Sequence, residues 1–129
     1  MIAIKKILLP TDFSETSIQT FGHALSLAEK YDAEIILLHV LVLYEDDPHQ
    51  TSSRFNKLKS YYEDSEKRAG SLMQELAEGP MKRHPRLIQK ITRGLDAADR
   101  ILDVAKEENV DIIFMGTHGH SGLRRFFVG

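Results

Sequence analysis

The sequence predicts an α/β fold: an open, doubly wound, mostly parallel sheet of four strands with helices on both faces. Three observations predict it. Short apolar runs without polar alternation recur along the chain, as strands covered on both faces require. Between them lie segments whose apolar residues step by three and four, the spacing of one helix face. The first and last of the apolar runs pass straight into Pro10-Thr11-Asp12 and into the glycine-rich segment that starts at Gly116. Strands alternating with helices mark βαβ units, and right-handed crossovers then make the sheet parallel.

The elements follow in order. Ile7-Leu8-Leu9 is the first strand, and Pro10 stops it. Asp12 and Ser14 are both candidate N-caps for a helix, whose buried face is Ile18, Phe21, Leu25 and Ala28 and which dissolves at Tyr31-Asp32. Glu34 to Leu43 is the second strand, followed by the polar stretch Tyr44 to Ser53. A long helix from Ser53 to Glu78 places Leu58, Tyr62, Ser65, Ala69, Leu72 and Leu76 on one face and a solvated, charged face opposite. Gly79-Pro80 ends it. Leu87 to Thr92 is a third strand, weak because Gln89 and Lys90 interrupt it, and Gly94 then turns the chain. Asp96 caps a helix with the apolar face Ala98, Ile101, Leu102 and Ala105. Asp111 to Met115 is the fourth strand, buried and running into Gly116.

Composition narrows the function. A chain of 129 residues is the length of one domain. The 17 Lys+Arg and 19 Asp+Glu leave a net charge of −2, so no global field gathers nucleic acid or anionic lipid. The absence of cysteine excludes a disulfide scaffold, thiolate metal sites and a thiol nucleophile. The longest apolar stretch, Ile35 to Leu43, is half the length of a membrane span. The N-terminal Met1-Ile2-Ala3-Ile4-Lys5-Lys6 lacks the order of a secretory signal. A cytoplasmic, soluble domain is expected.

In an open parallel sheet, ligands bind beyond the carboxyl ends of the strands, where the strand order reverses. That directs attention to Pro10–Ser14, Val40–Tyr44 and everything after Met115. The last segment holds four of the eight glycines and the pair Arg124-Arg125. Successive N–H groups of a glycine-rich turn bind anions, and arginines add charged contacts; a solvated loop accounts equally well for the same composition. No G-x-x-x-x-G-K-[ST] occurs, and no G-x-G-x-x-G follows the first strand. His118 and His120 lack a third metal ligand nearby, and Ser121 lacks a base. His39 fits a satisfied strand residue better than a general base.

The spacing G-x-x-G-x9-G of Gly116, Gly119 and Gly129 resembles the nucleotide-binding signature of the universal stress protein family. Lys6 to Ser14 is similar to that family's first strand and acidic turn, Glu34 to Val40 to its second strand, and Asp111 to Gly116 to its fourth. The resemblance runs in register over essentially the whole chain and implies an adenine-nucleotide-hydrolase-like, Rossmann-like domain. From the ATP-binding branch it further implies ATP as ligand, alone or with Mg2+, and a homodimer. Asp12 would contact the adenosine, with Pro10 and Thr11 shaping the wall beside it. Val40 would meet the adenine through its backbone, Met115 and Gly116 would border the ribose, and Gly119 and Gly129 would hold phosphates. In the family the third glycine is followed by Ser or Thr, a helix and a fifth strand; the sequence stops at Gly129, so it reads as a C-terminally incomplete domain with the fourth strand left as an edge. The function expected is a nucleotide-binding stress or regulatory protein with at most slow hydrolysis. The alternative is a protein-interaction or dimerisation module with a vestigial nucleotide site. A response-regulator-like domain fits less well, because Asp12 has no acidic neighbour except Glu15.

Overall fold

A computed structural model describes residues 3–43 and 52–116, with the backbone alone over 52–58. Its elements are β1 (Lys6–Pro10), α1 (Glu15–Gln19), α2 (Phe21–Tyr31), β2 (Glu34–Val42), α3 (Ser52–Glu78), β3 (Leu87–Gly94), α4 (Ala97–Glu107) and β4 (Ile112–Ile113). The four strands form one sheet in the order β3-β2-β1-β4, and every pairing is parallel. The expected α/β architecture is the observed one.

The apolar runs explain why. Successive side chains of a strand point to opposite faces, so a run without polar residues needs a cover on each side. Ile7 and Leu9 of β1, with Ile35 and Leu37 of β2, pack under Phe21, Ala24 and Leu25 of α2 and Met73 and Leu76 of α3. Leu8, Ile36 and Leu38 face the other way, onto Ile101, Val104 and Ala105 of α4, with Ile113 beside them. Every one of these strand residues except Ile113 is at most 1 % exposed. β3 is the outer strand next to β2, and its polar residues Gln89 and Arg93 stand exposed there, which accounts for its weak apolar signal.

The chain leaves β1 for β2 and β3 on one side, then crosses by α4 to β4 on the other. The strand order therefore reverses between β1 and β4, and the crevice opens beyond their carboxyl ends.

Several details differ from the pattern. The single helix expected across Ile18 to Ala28 is two helices, because the Thr20 hydroxyl and N–H both turn back to the Ser17 carbonyl, at 2.7 and 3.1 Å. Of the two candidate caps, Ser14 is the N-cap: its hydroxyl accepts the Ser17 N–H at 3.1 Å. In α3 Met73 is buried and its neighbour Leu72 is not, and in α4 Ile101 and Val104 are buried while Leu102, next to Ile101, is not; both leucines are 40 % exposed. Apolar residues adjacent in a helix are 100° apart, so counting steps of three and four left the choice between neighbours open. Gly94 does not turn the chain but ends β3, opposite Val42. A Cβ there would lie 2.9 Å from the Cβ of Arg100, so glycine is required for close approach. The fourth strand has two ladder residues instead of five, although the N–H groups of Asp111 and Phe114 also reach β1 carbonyls at 2.9 Å. Asp96 caps α4 as expected, its Oδ1 accepting the N–H groups of Ala98 and Asp99.

At the amino-terminal end of the sheet, Asp111 joins β4 to β1. One carboxylate oxygen, Oδ2, accepts the Lys5 N–H at 2.7 Å and the Lys6 N–H at 3.0 Å. The Lys5 N–H first, and the Lys6 N–H second, hold its carboxyl below the usual carboxylate range. A lowered folded pKa contributes stability that is complete above the unfolded value, about 3.9, and is lost as pH falls through the folded value. Asp111→Asn should therefore lower stability at neutral pH by at most about 1 kcal/mol, because solvent screens so exposed a group. The deficit should shrink below about pH 4, and urea denaturation across that range measures it.

Candidate functional site

The turn after β1 is built from its own side chains. Thr11 continues the ladder, its N–H donating to the Leu38 carbonyl at 2.8 Å. Its carbonyl accepts a hydrogen bond from His39 Nδ1 at 2.8 Å, which fixes the proton on that nitrogen. The Thr11 hydroxyl accepts the Phe13 N–H at 3.0 Å, and Asp12 Oδ1 accepts the Ser14 N–H at 2.9 Å. Phe13 is held at φ 65°, a left-handed conformation that a bulky residue adopts only under constraint. Its ring lies against the His39 imidazole, centroids 4.5 Å apart. These contacts together present Asp12 at the end of the central strand.

Beside this turn a cleft opens at the carboxyl ends of the strands, where open parallel sheets bind small molecules. Six residues singled out in the sequence line it together: Pro10, Thr11, Asp12, Val40, Met115 and Gly116. They come from the ends of β1, β2 and the segment after β4. Gly119 and Gly129 lie outside the described residues, as do His118, His120, Arg124 and Arg125.

The cleft has two unlike walls. Leu38, Val40, Ala97, Ile101 and Met115 make an apolar side. Thr11, Ser14, Thr16 and Ser17 make a side of hydroxyls. Asp12 is the one carboxylate among the described lining residues, and no lysine or arginine is among them. Sequence reasoning pointed to the Pro10–Ser14 stretch but missed Thr16, Ser17, Leu38, Ala97 and Ile101 as lining residues. A signal existed for the last two: they stand four apart, in the first turns of a helix capped by Asp96 just beyond a strand's carboxyl end. Ser14 and His39 carried other expected roles, and His39 does have the satisfied strand position expected of it. Gly116 packs tightly on the hydroxyl side, where a Cβ would meet Thr20 Cγ2 at 3.2 Å and the Thr16 carbonyl oxygen at 3.4 Å. Among the described residues, no cluster of His, Asp and Glu is arranged to hold a metal ion, and no helix is long and apolar enough to cross a membrane.

Fold and cleft together define a doubly wound α/β protein with its crevice at the switch point of a parallel sheet. The chain belongs to the universal stress protein family, whose sequence model matches residues 3–129. It is 26% identical over 126 residues to the universal stress protein MJ0531 of Methanocaldococcus jannaschii, covering 97% of this chain and 71% of that one. Universal stress protein MJ0577 of the same organism is 29% identical over 143 residues, covering 99% and 85%, and its solved structure superposes with a TM-score of 0.75. The universal stress protein UspA from Lactobacillus plantarum shares the fold at a TM-score of 0.78 and 24% identity, covering all of this chain and 88% of that one. A further universal stress protein, solved in complex with cAMP, shares the fold at a TM-score of 0.68 and 15% identity, covering 93% and 78%.

Proposed function

We propose that the chain binds ATP, or a closely related adenine nucleotide, at the carboxyl ends of β1 and β4, and serves as a stress-response or regulatory protein. The observation that carries this reading is the two-walled cleft. A purine ring needs apolar faces, which the Val40–Ile101–Met115 side offers, while ribose and phosphate need donors and acceptors, which the other side offers. A carboxylate such as that of Asp12 accepts hydrogen bonds at two oxygens, the chemistry that ribose hydroxyls call for. In this reading Pro10 and Thr11 wall the nucleoside, Val40 meets the base through its backbone, and Met115 and Gly116 border the ribose. Gly119 and Gly129 take the phosphates on the strength of the family's glycine spacing. The universal stress protein solved with cAMP supplies a precedent in this fold for an adenine nucleotide as ligand.

Hydrolysis is at most slow in this reading. Asp12 and His39 are the titratable groups among the described lining residues. Each spends an atom on its own turn, Asp12 Oδ1 on Ser14 and His39 Nδ1 on Thr11. Calorimetric titration of the full chain with ATP, with and without Mg2+, is expected to show one site of micromolar to sub-millimolar affinity. No heat of binding up to about 1 mM, where binding is worth only about 4 kcal/mol, sinks the reading.

The interaction-module alternative rests on a different observation. β4 is an outer strand, with no described strand on its far side, and an open strand edge pairs readily with another chain. A homodimer is compatible with both readings. Sedimentation separates them: a dimer indifferent to ATP, in a chain that gives no heat with ATP, favours the module.

A further inference from the structure

The nucleotide reading gives the hydroxyl side of the cleft to ribose and phosphate in general, and one hydrogen-bonded pair there leaves a donor proton over. Ser17 and Thr11 are only 9 % and 6 % exposed, and their hydroxyl oxygens lie 2.7 Å apart. Each hydroxyl has one proton and two lone pairs. The Thr11 oxygen also accepts the Phe13 N–H. Whichever member of the pair donates to the other, one O–H proton has no acceptor among the described residues. An unmatched buried donor costs about 1–3 kcal/mol, so such a proton marks a place for an acceptor. The Thr16 hydroxyl, next in the chain and also lining the cleft, has no hydrogen-bond partner among the described residues either.

The position of these groups identifies what they meet. Thr16 packs against Gly116, where the glycine-rich segment begins, its Cγ2 3.5 Å from the place of a glycine Cβ. Thr11, bonded to Ser17, directly precedes Asp12. The hydroxyls thus span the interval between the carboxylate proposed for the ribose and the glycines proposed for the phosphates. A nucleotide crossing that interval does so with its first phosphate. Phosphoryl oxygens only accept hydrogen bonds, so they match unspent O–H protons.

We propose that the Thr16 hydroxyl and the spare O–H proton of the Thr11–Ser17 pair form a subsite for the phosphoryl group attached to the nucleoside. This subsite rests on the nucleotide reading and adds to it a residue-level basis for preferring nucleotide to nucleoside. It works by uncharged donors, since no lysine or arginine is among the described lining residues.

The test is calorimetric titration of the full chain with AMP and with adenosine, for wild type, Ser17→Ala, Thr16→Val and the double variant. Wild type is expected to bind AMP more tightly than adenosine. The double variant should lose about tenfold in AMP affinity, the scale of hydrogen bonds to a charged acceptor, and keep its adenosine affinity. Each single variant should lose part of it, and Thr16→Ser, which keeps the hydroxyl, should bind as wild type does. Parallel losses for AMP and adenosine reduce the hydroxyls to a structural role and overturn the subsite, as does an unchanged AMP affinity. Should the double variant fail to fold, as thermal denaturation reports, Thr16→Val decides, since Thr16 is only half-buried. A wild type that binds neither ligand overturns the nucleotide reading and the subsite with it. A wild type that binds both, with variants that change nothing, overturns the subsite alone.

Discussion

Leu8→Ala and Leu9→Ala are each expected to destabilise the fold by about 3 kcal/mol, near the middle of the range for buried leucines. For a domain of this size that is a fall in Tm on the order of 10 °C. The two residues are neighbours in β1 and both are fully buried, yet their side chains share no packing partner. Leu8 packs in the cluster of Ile101, Val104 and Ala105, and Leu9 in the cluster of Phe21, Leu25 and Met73. Each substitution therefore opens a cavity in a different layer. The double variant should cost close to the sum, about 6 kcal/mol, comparable with the whole stability of an ordinary domain. Urea denaturation measures all three. A cost below about 1 kcal/mol for Leu8→Ala, far short of a core leucine, would show that α4 does not seal its face of the sheet.

Asp12→Asn separates the two tasks of that side chain. Asparagine keeps the Oδ1 that accepts the Ser14 N–H, so the turn and the melting temperature should be preserved. It removes the negative charge, and with it the stronger acceptor for ribose hydroxyls. The expected loss is about 2 kcal/mol, since hydrogen bonds to charged groups are worth roughly 1.5–3, or about thirtyfold in ATP affinity. Asp12→Ala should lose affinity and soften the turn as well. If Asp12→Asn binds ATP as wild type does, the carboxylate caps its turn and does nothing for the ligand. Calorimetry on the two variants, paired with thermal melts, gives the answer directly.

The parts legible in the sequence were those where one residue type has one physical solution. Ile7-Leu8-Leu9 and Ile35 to Leu38 could only be strands covered on both faces, and Asp96 only a helix cap. Six of the residues picked out for the site converge on one cleft because strand ends in a parallel sheet must converge. What stayed hidden was decided by atoms far apart in the chain or by choices between equals. Gly94 looked like a turn because its neighbour in space, the Cβ of Arg100, is invisible in the linear order. Leu72 and Leu102 looked buried because a helix periodicity does not choose between adjacent apolar residues. Thr16 and Ser17 carry no signal in the linear order: Gly116 folds against the first from a hundred residues on, and Thr11 bonds the second from a few residues back.

Thr11 holds to β2 by both of its backbone polar atoms, its N–H on Leu38 and its carbonyl on His39. Val40, across the cleft, belongs to the same strand. The gap between Asp12 and Val40 is therefore set by a single rigid element and does not depend on a ligand closing it. On the nucleotide reading, a nucleoside entering that end meets a preorganised slot, and little of its binding energy is spent on ordering protein. The Gly116 end is anchored differently, through two ladder residues of β4. On the same reading, any adjustment that ligands of different length demand falls on that end, so the two ends divide the labour: one for the nucleoside, the other for what is attached to it.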